Sequence, residues 1–205
     1  MRYPIPAHEV ERFYESTLEV RKSRFITRVA HAPDPAAAQQ LIDDARQTHP
    51  DASHHCFAFI AGAPGEQQDI GFSDDGEPGG TAGRPLYQVL AGSGLGQVAA
   101  VVIRYFGGTQ LGTGGLARAY SKALSQALEK TDTVTFTPRR PLRLATDFAF
   151  EHELRRWLSA HDALIEHAHH SAHGVTLDIA WPMDSEPDAN ALAARLQGRL
   201  EIETP

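Results

Sequence analysis

Apolar and polar residues alternate through Thr17–Ala30 (TLEVRKSRFITRVA), a period of two that predicts one or two paired strands. The period changes after Asp34-Pro35, where an acidic cap and a proline in the first helical position open a helix. That helix, PAAAQQLIDDARQTH, runs to His49-Pro50, where proline forbids continuation. HHCFAFIAG reads as a short, mostly buried strand, and Gly62-Ala63-Pro64-Gly65 turns the chain into a second strand over Gln68–Ser73. Gly83-Arg84-Pro85 is a helix entry, and PLYQVLAGSG gives a short amphipathic helix. VAAVVIRYF is almost continuously β-branched or apolar, the pattern of a central strand covered on both faces. Gly114-Gly115 opens a longer helix, LARAYSKALSQALEK, with Leu116, Tyr120, Ala123, Leu124, Ala127 and Leu128 on one face. Arg118 and Lys122, four apart, share another face.

The pattern resets at Thr137-Pro138-Arg139-Arg140-Pro141. Beyond it come strand LRLATDF, helix EHELRRWLSAH, strand ALIEHAHH, a turn at Ser171–Gly174, strand VTLDIAW, helix PDANALAARLQ and strand LEIE. That order, β-α-β-β-α-β, is the ferredoxin-like arrangement. The sequence therefore predicts an α+β protein of two domains, residues 1–135 and 139–205, with the boundary in Thr133–Pro141.

Twelve of the 17 glycines fall between Gly76 and Gly115. Each glycine costs folding entropy without filling volume, so this density implies backbone shape: tight turns, close approach, or amides turned toward a ligand. Composition sets the setting. No apolar run approaches the roughly 20 residues a membrane-spanning helix needs, and MRYPIPAHEVERFYES lacks an apolar signal core. The lone cysteine, Cys56, rules out a disulfide framework and fits a reducing compartment. The expectation is a cytoplasmic protein that does not engage a membrane. A net charge of −7 argues against a general nucleic-acid binder. Through Arg140 there are 14 basic and 15 acidic residues, and from Pro141 onward 5 and 11. An anionic partner is thus expected on the first part, and a basic protein partner on the acidic second part.

Several motifs offer chemistry. Gly112-x-Gly114-x-x-Ala117 with Asp132 imitates a dinucleotide fingerprint, but five residues separate Phe106 from Gly112 and Asp132 precedes the next extended run. No lysine follows Gly107–Gly112 as a phosphate-binding P-loop requires. No cofactor is expected. Strand, Gly-rich loop and helix N-terminus together do supply amide donors and a partial positive charge. Arg104, Arg118 and Lys122 are placed to converge on a phosphate there; the alternative is that the glycines form turns and the cations are solvated or paired with Asp74, Asp75 and Glu77. The candidate ligand site is Glu77, Arg84, Arg104, Gly107, Gly108, Gly112, Gly114, Gly115, Arg118 and Lys122. None of these is assigned a catalytic or metal-binding role, since Glu77 is the only acid between Gly76 and Tyr120 and no obvious general base accompanies it. Asp74, Asp75 and Glu77 either hold a divalent cation or form a solvated loop. His55 and Cys56 are adjacent in a strand and face opposite sides, so Cys56 reads as a buried, inert thiol. His167, His169, His170 and His173 crowd one hairpin without a complete metal-ligand set, the outer face of an antiparallel sheet.

DDGEPGGTAGRP, VVIRYFGGTQLGTGGLARAY and the earlier KSRF resemble the IMPACT/YigZ family across Lys22–Tyr120, and the C-terminal segment looks like the second domain of its bacterial YigZ-type members. The resemblance implies an N-terminal α/β sandwich like that of a small-subunit ribosomal protein and domain IV of elongation factor G. It implies a ferredoxin-like second domain like domain V of that factor. Translation is the context that the resemblance implies. Eukaryotic members bind a ribosome-associated activator of the initiation-factor kinase through an additional N-terminal module with no counterpart in this sequence. Two functions follow as expectations: a translation-linked regulator binding RNA, the ribosome or a ribosome-associated factor through the Gly-rich basic face, or a small-molecule enzyme or phosphate-ligand binder using the Gly107–Gly115 loop.

Overall fold

The hydrophobic run ending at Tyr105 lies at the centre of a five-stranded antiparallel sheet in the computed structural model, which describes residues 1–203. The elements up to that run are β1 (Tyr3–Pro6), β2 (Tyr14–Val20), β3 (Ser23–His31), α1 (Pro35–Thr48), β4 (His54–Ile60), β5 (Ile70–Ser73), α2 (Gly83–Ser93) and β6 (Val98–Tyr105). They are followed by α3 (Thr113–Leu128) and β7 (Thr133–Phe136). The sheet order is β2-β3-β6-β4-β5. Seven of the eight residues of β6 are buried, because helices cover both faces.

Opposed residues of an antiparallel pair share a face, so the register sorts the side chains. Ile26, Ala30, Val101 and Ile103 face α1, which packs Leu41, Ile42 and Ala45 against them. Asp34 caps that helix by accepting from the Ala37 amide at 2.8 Å. Phe25, Val29, Cys56, Val98, Ala100 and Val102 face the other way and meet Leu86 and Leu90 of α2 and Tyr120 and Leu124 of α3. Full burial of each large aliphatic side chain here stabilises by about 1.5–3 kcal/mol.

The chain divides into two compact units: Tyr3–Phe136, and the residues from Thr137 onward together with Met1–Arg2. Thr133–Phe136, which the sequence pattern assigns to the boundary, is β7, and it pairs antiparallel with β1 through Tyr3↔Phe136 to Pro6↔Thr133. Pro4 and Pro6 break the alternation of β1, and proline is compatible with a strand only at an edge such as this two-stranded ribbon provides. In the second unit β8 (Arg139–Asp147), α4 (Glu151–Ala160), β9 (Leu164–His170), β10 (Gly174–Pro182), α5 (Ala189–Arg195) and β11 (Glu201–Glu203) form a sheet of order β11-β8-β10-β9. With its β-α-β-β-α-β sequence, this is the ferredoxin-like arrangement. Its core gathers Leu144, Leu154, Leu158, Leu177, Ile179 and Trp181. No helix among the described residues is long and apolar enough to cross a membrane.

Candidate functional site

The Gly-rich stretch is shaped first by Asp74, at the end of β5. Its carboxylate accepts from the amides of Gly80, Ala82 and Gly83 at 2.8, 2.9 and 2.8 Å, folding the loop 74–83 back and capping α2 from a distance in sequence. Burial alone would raise the Asp74 pKa, but these three donors outweigh it and hold the carboxyl below its ordinary value. Gly83 is required by close approach: a Cβ there would lie 2.6 Å from the Ser73 carbonyl carbon. Asp75 accepts from the His55 amide at 2.7 Å and from Arg46 at 3.2 Å. The acidic run is therefore neither a cation site nor a solvated loop; Asp74 and Asp75 are occupied by the fold itself.

The same loop delivers Glu77 inward. Its Oε1 accepts from Arg104 Nη1 at 2.6 Å and from the Tyr120 hydroxyl at 2.7 Å, with the Glu77 and Arg104 side chains 3% and 6% exposed. Burial, and after it the neighbouring Cys56 and Glu77, pushes the Tyr120 phenol far up; burial does the same to the Cys56 thiol. Cys56 Sγ lies 3.3 Å from the Tyr120 hydroxyl and 3.0 Å from the Asp74 carbonyl oxygen, so both groups stay protonated and the thiol is inert. This arrangement corrects one expectation. Arg104 does not join Arg118 and Lys122 as a free cation; Glu77 neutralises it inside the domain.

Above this pair opens a cleft of about 370 Å³, bounded by His54, Glu77, Arg104, Phe106, Gly112 and Thr113 among others. His54 stands directly opposite Arg104 in the sheet register. Its Nδ1 is 2.9 Å from the Asp75 carbonyl oxygen, which can only accept, so Nδ1 carries the proton. Its Nε2 sits 3.8 Å from Glu77 Oε2. Phe106, half-exposed, stands at the mouth with Arg104 5.6 Å from its ring centre. The far wall is the start of α3. Its N-cap residue, Gly112, has φ +71° and no side-chain cap, which leaves the first amides of the helix without a protein acceptor from that residue.

The remaining candidates do not line this cleft. Gly107 is where the loop presses on the β2–β3 turn: a Cβ would overlap the Lys22 carbonyl group. Gly108 has φ +82° in open space. A Cβ on Gly114 would lie 3.4 Å from Arg118 Nη1, so the Arg118 guanidinium folds back over the first turn of α3. Gly115 abuts Leu111. Lys122 is exposed one turn further along α3. Arg84 belongs to a second cleft of about 440 Å³ beside Phe72, Asp74, Gly80 and Tyr87, where Phe72 and Tyr87 stack at 5.6 Å. The hairpin histidines are spread over surface pairings: His169 meets Asp178 at 3.1 Å and His170 meets Glu151 at 3.4 Å. Sequence reasoning missed His54, Phe106 and Tyr120. Only a strand register that puts His54 beside Arg104 would have signalled the first.

Residues 21–128 match the family model described as the Impact N-terminal domain. Over 185 residues the chain is 42% identical to the IMPACT family member YigZ of Escherichia coli K12, covering 90% of each chain. Over 157 residues it is 35% identical to the IMPACT family member YvyE of Bacillus subtilis, covering 77% of this chain and 71% of that one. The crystal structure of a hypothetical protein, 39% identical, aligns with a TM-score of 0.72 over 100% of this chain and 97% of its own. The family match spans β3 to α3 and so contains the Asp74-capped loop, the Glu77–Arg104 pair and the Gly107–Gly115 turn; the protein belongs to the IMPACT family.

Proposed function

We propose that this protein is a translation-linked regulator that acts by binding RNA, free or exposed on the ribosome, through the Gly-rich face of its first unit, as a binding protein rather than an enzyme. The observation that carries the reading is where the unpaired cations lie. Among the described residues, all eight Lys and Arg of the second unit are in ion pairs. In the first unit only Arg28, Arg46 and Arg104 are paired, which leaves Arg12, Arg21, Lys22, Arg24, Arg84, Arg118, Lys122 and Lys130 without an acidic partner. Arg84, Arg118 and Lys122 stand on the two helices of the Gly-rich face, and Arg21 and Lys22 form the turn against which Gly107 packs. Exposed Phe72 lines a cleft with Arg84, and exposed Phe106 precedes Gly107, which packs on the Arg21–Lys22 turn. Unneutralised charge interleaved with aromatic rings is the composition of a single-strand binding surface, because every base offers a face to stack and every nucleotide a phosphate.

A second reading has its own observation: the 370 Å³ cleft is the right size for one small phosphate-bearing ligand. The two separate on Arg118, which serves a long polyanion on the outer face more than a ligand inside the cleft. Arg118→Glu is expected to weaken binding of single-stranded RNA at fixed salt by tenfold or more, the loss of a charge-assisted contact of about 1.5–3 kcal/mol. It should shift unfolding by about 0.5 kcal/mol or less. Fluorescence anisotropy and thermal unfolding on one preparation measure both. Unchanged RNA affinity sinks the RNA reading.

A further inference from the structure

Glu77 and His54 present the cleft with two hydrogen-bond acceptors and no donor to fill them. Both donors that reach Glu77, Arg104 Nη1 and the Tyr120 hydroxyl, go to Oε1. Oε2, on a side chain only 3% exposed, has His54 Nε2 at 3.8 Å as its polar neighbour. His54 gives its Nδ1 proton to the Asp75 carbonyl, so Nε2 of the neutral ring is an acceptor as well. Two acceptors side by side in a half-buried wall call for a group with two donors. The opposite wall has the reverse character. There α3 begins at Gly112 and Thr113 without a side-chain cap, so its first amides remain available as donors; beside Glu77 the buried Arg104 Nε is a further donor with no hydrogen-bond partner.

The chemistry narrows the occupant. A divalent cation finds only one carboxylate, since Asp74 and Asp75 are turned to backbone amides and Arg46. An ammonium group would satisfy the acceptors but meet the positive end of α3. A neutral diol joined to an anion satisfies both walls. The half-exposed Phe106 ring at the mouth adds a platform for a flat group.

We infer that this cleft is a subsite for the 3′-terminal nucleotide of an RNA strand on the RNA-binding face: Glu77 Oε2 and His54 Nε2 receive its free 2′- and 3′-hydroxyls, the first turn of α3 receives the adjoining phosphate, and Phe106 carries the base. The inference rests on the RNA-binding reading above and adds discrimination of RNA from DNA through the 2′-hydroxyl. The full chain is tested by fluorescence anisotropy with a short mixed-sequence single-stranded oligoribonucleotide and the deoxy oligomer of the same sequence, at one salt concentration. The wild type is expected to prefer the ribo form by about tenfold, equivalent to about 1.4 kcal/mol. His54→Ala should cut that preference to about twofold or less while leaving the deoxy affinity nearly unchanged. Equal wild-type affinities for the two oligomers overturn the subsite and leave the RNA face standing; binding of neither overturns both. A ribo preference that survives His54→Ala intact also overturns the subsite. The wild-type comparison remains decisive even where the variant fails to fold.

Discussion

Glu77 carries two demands at once, since one oxygen holds Arg104 and Tyr120 and the other faces the cleft. A buried ion pair is weak evidence for net stability, yet breaking one side is expensive because it strands a charge. Glu77→Ala is therefore expected to destabilise by about 3–5 kcal/mol. Adding Arg104→Met should recover a large part of that loss. Urea unfolding of the single and double variants measures the cycle, and a double variant as unstable as the sum of its parts would show the pair to be uncoupled. Asp74 makes a different prediction, because its stabilisation depends on pH. Its folded-state pKa lies below the ordinary 3.8 through the amides of Gly80, Ala82 and Gly83. The unfolded chain therefore takes up the proton first. The Asp74 contribution is complete above that ordinary value and fades as the pH falls through the lower folded-state value. Asp74→Asn should lose stability at neutral pH and flatten the acid limb of the stability curve; a variant with the same acid limb as the wild type rules the carboxylate out as the source.

At the scale of elements, the loop from Phe106 to Gly112 works because the chain passes where a side chain cannot. Gly107 and Gly108 separate the two reasons for glycine. At Gly107 a Cβ would overlap the Lys22 backbone, so alanine must push the β2–β3 turn away from the end of β6. At Gly108 a Cβ meets nothing, and alanine is opposed only by φ +82°, a cost of about 1–2 kcal/mol. Gly107→Ala is expected to destabilise more than Gly108→Ala in chemical denaturation; equal losses would mean the turn yields freely. The helices and most strands were legible because their periods are long and clean, as in the Leu41, Ile42, Ala45 stripe of α1 and the unbroken run of β6. The β1–β7 ribbon was not, since four-residue strands carry little periodicity and Pro4 and Pro6 erase it. The site was legible only as a stretch. Glycine density and scattered cations marked the region, but no local pattern tells that Glu77 turns inward or that β4 sets His54 opposite Arg104. Those facts belong to sheet register and loop closure, which long-range packing decides.

Across the whole molecule, net charge misleads where ion pairing informs. Counted at Arg140, the chain divides into a near-neutral first part and an acidic second part. The compact units give another result, because Arg2, Arg139 and Arg140 belong with the second. Tyr3–Phe136 then holds 11 basic and 15 acidic residues, a balance of −4, and the other unit 8 and 11, a balance of −3. The case for an acidic docking domain weakens accordingly, and the units differ instead in how many cations remain available. That difference has a measurable form. Binding to single-stranded RNA releases counterions in proportion to the phosphates neutralised, with log K falling by roughly 0.7 per contact for each unit of log salt. If Arg84, Arg118 and Lys122 with the β2–β3 turn each take a phosphate, the full chain should show a slope of about −2 to −3.5. Replacing Arg118 and Lys122 together by glutamine should make it shallower by about 1.4. Arg156→Gln, on an exposed arginine already 3.2 Å from Glu153 in the second unit, should leave the slope where it was. A slope near −0.7 in the wild type would indicate one phosphate in the cleft and favour the small-ligand reading. A slope that responds to Arg156 and not to the α3 pair would move the polyanion to the second unit, against the distribution of free charge on which the proposed function rests.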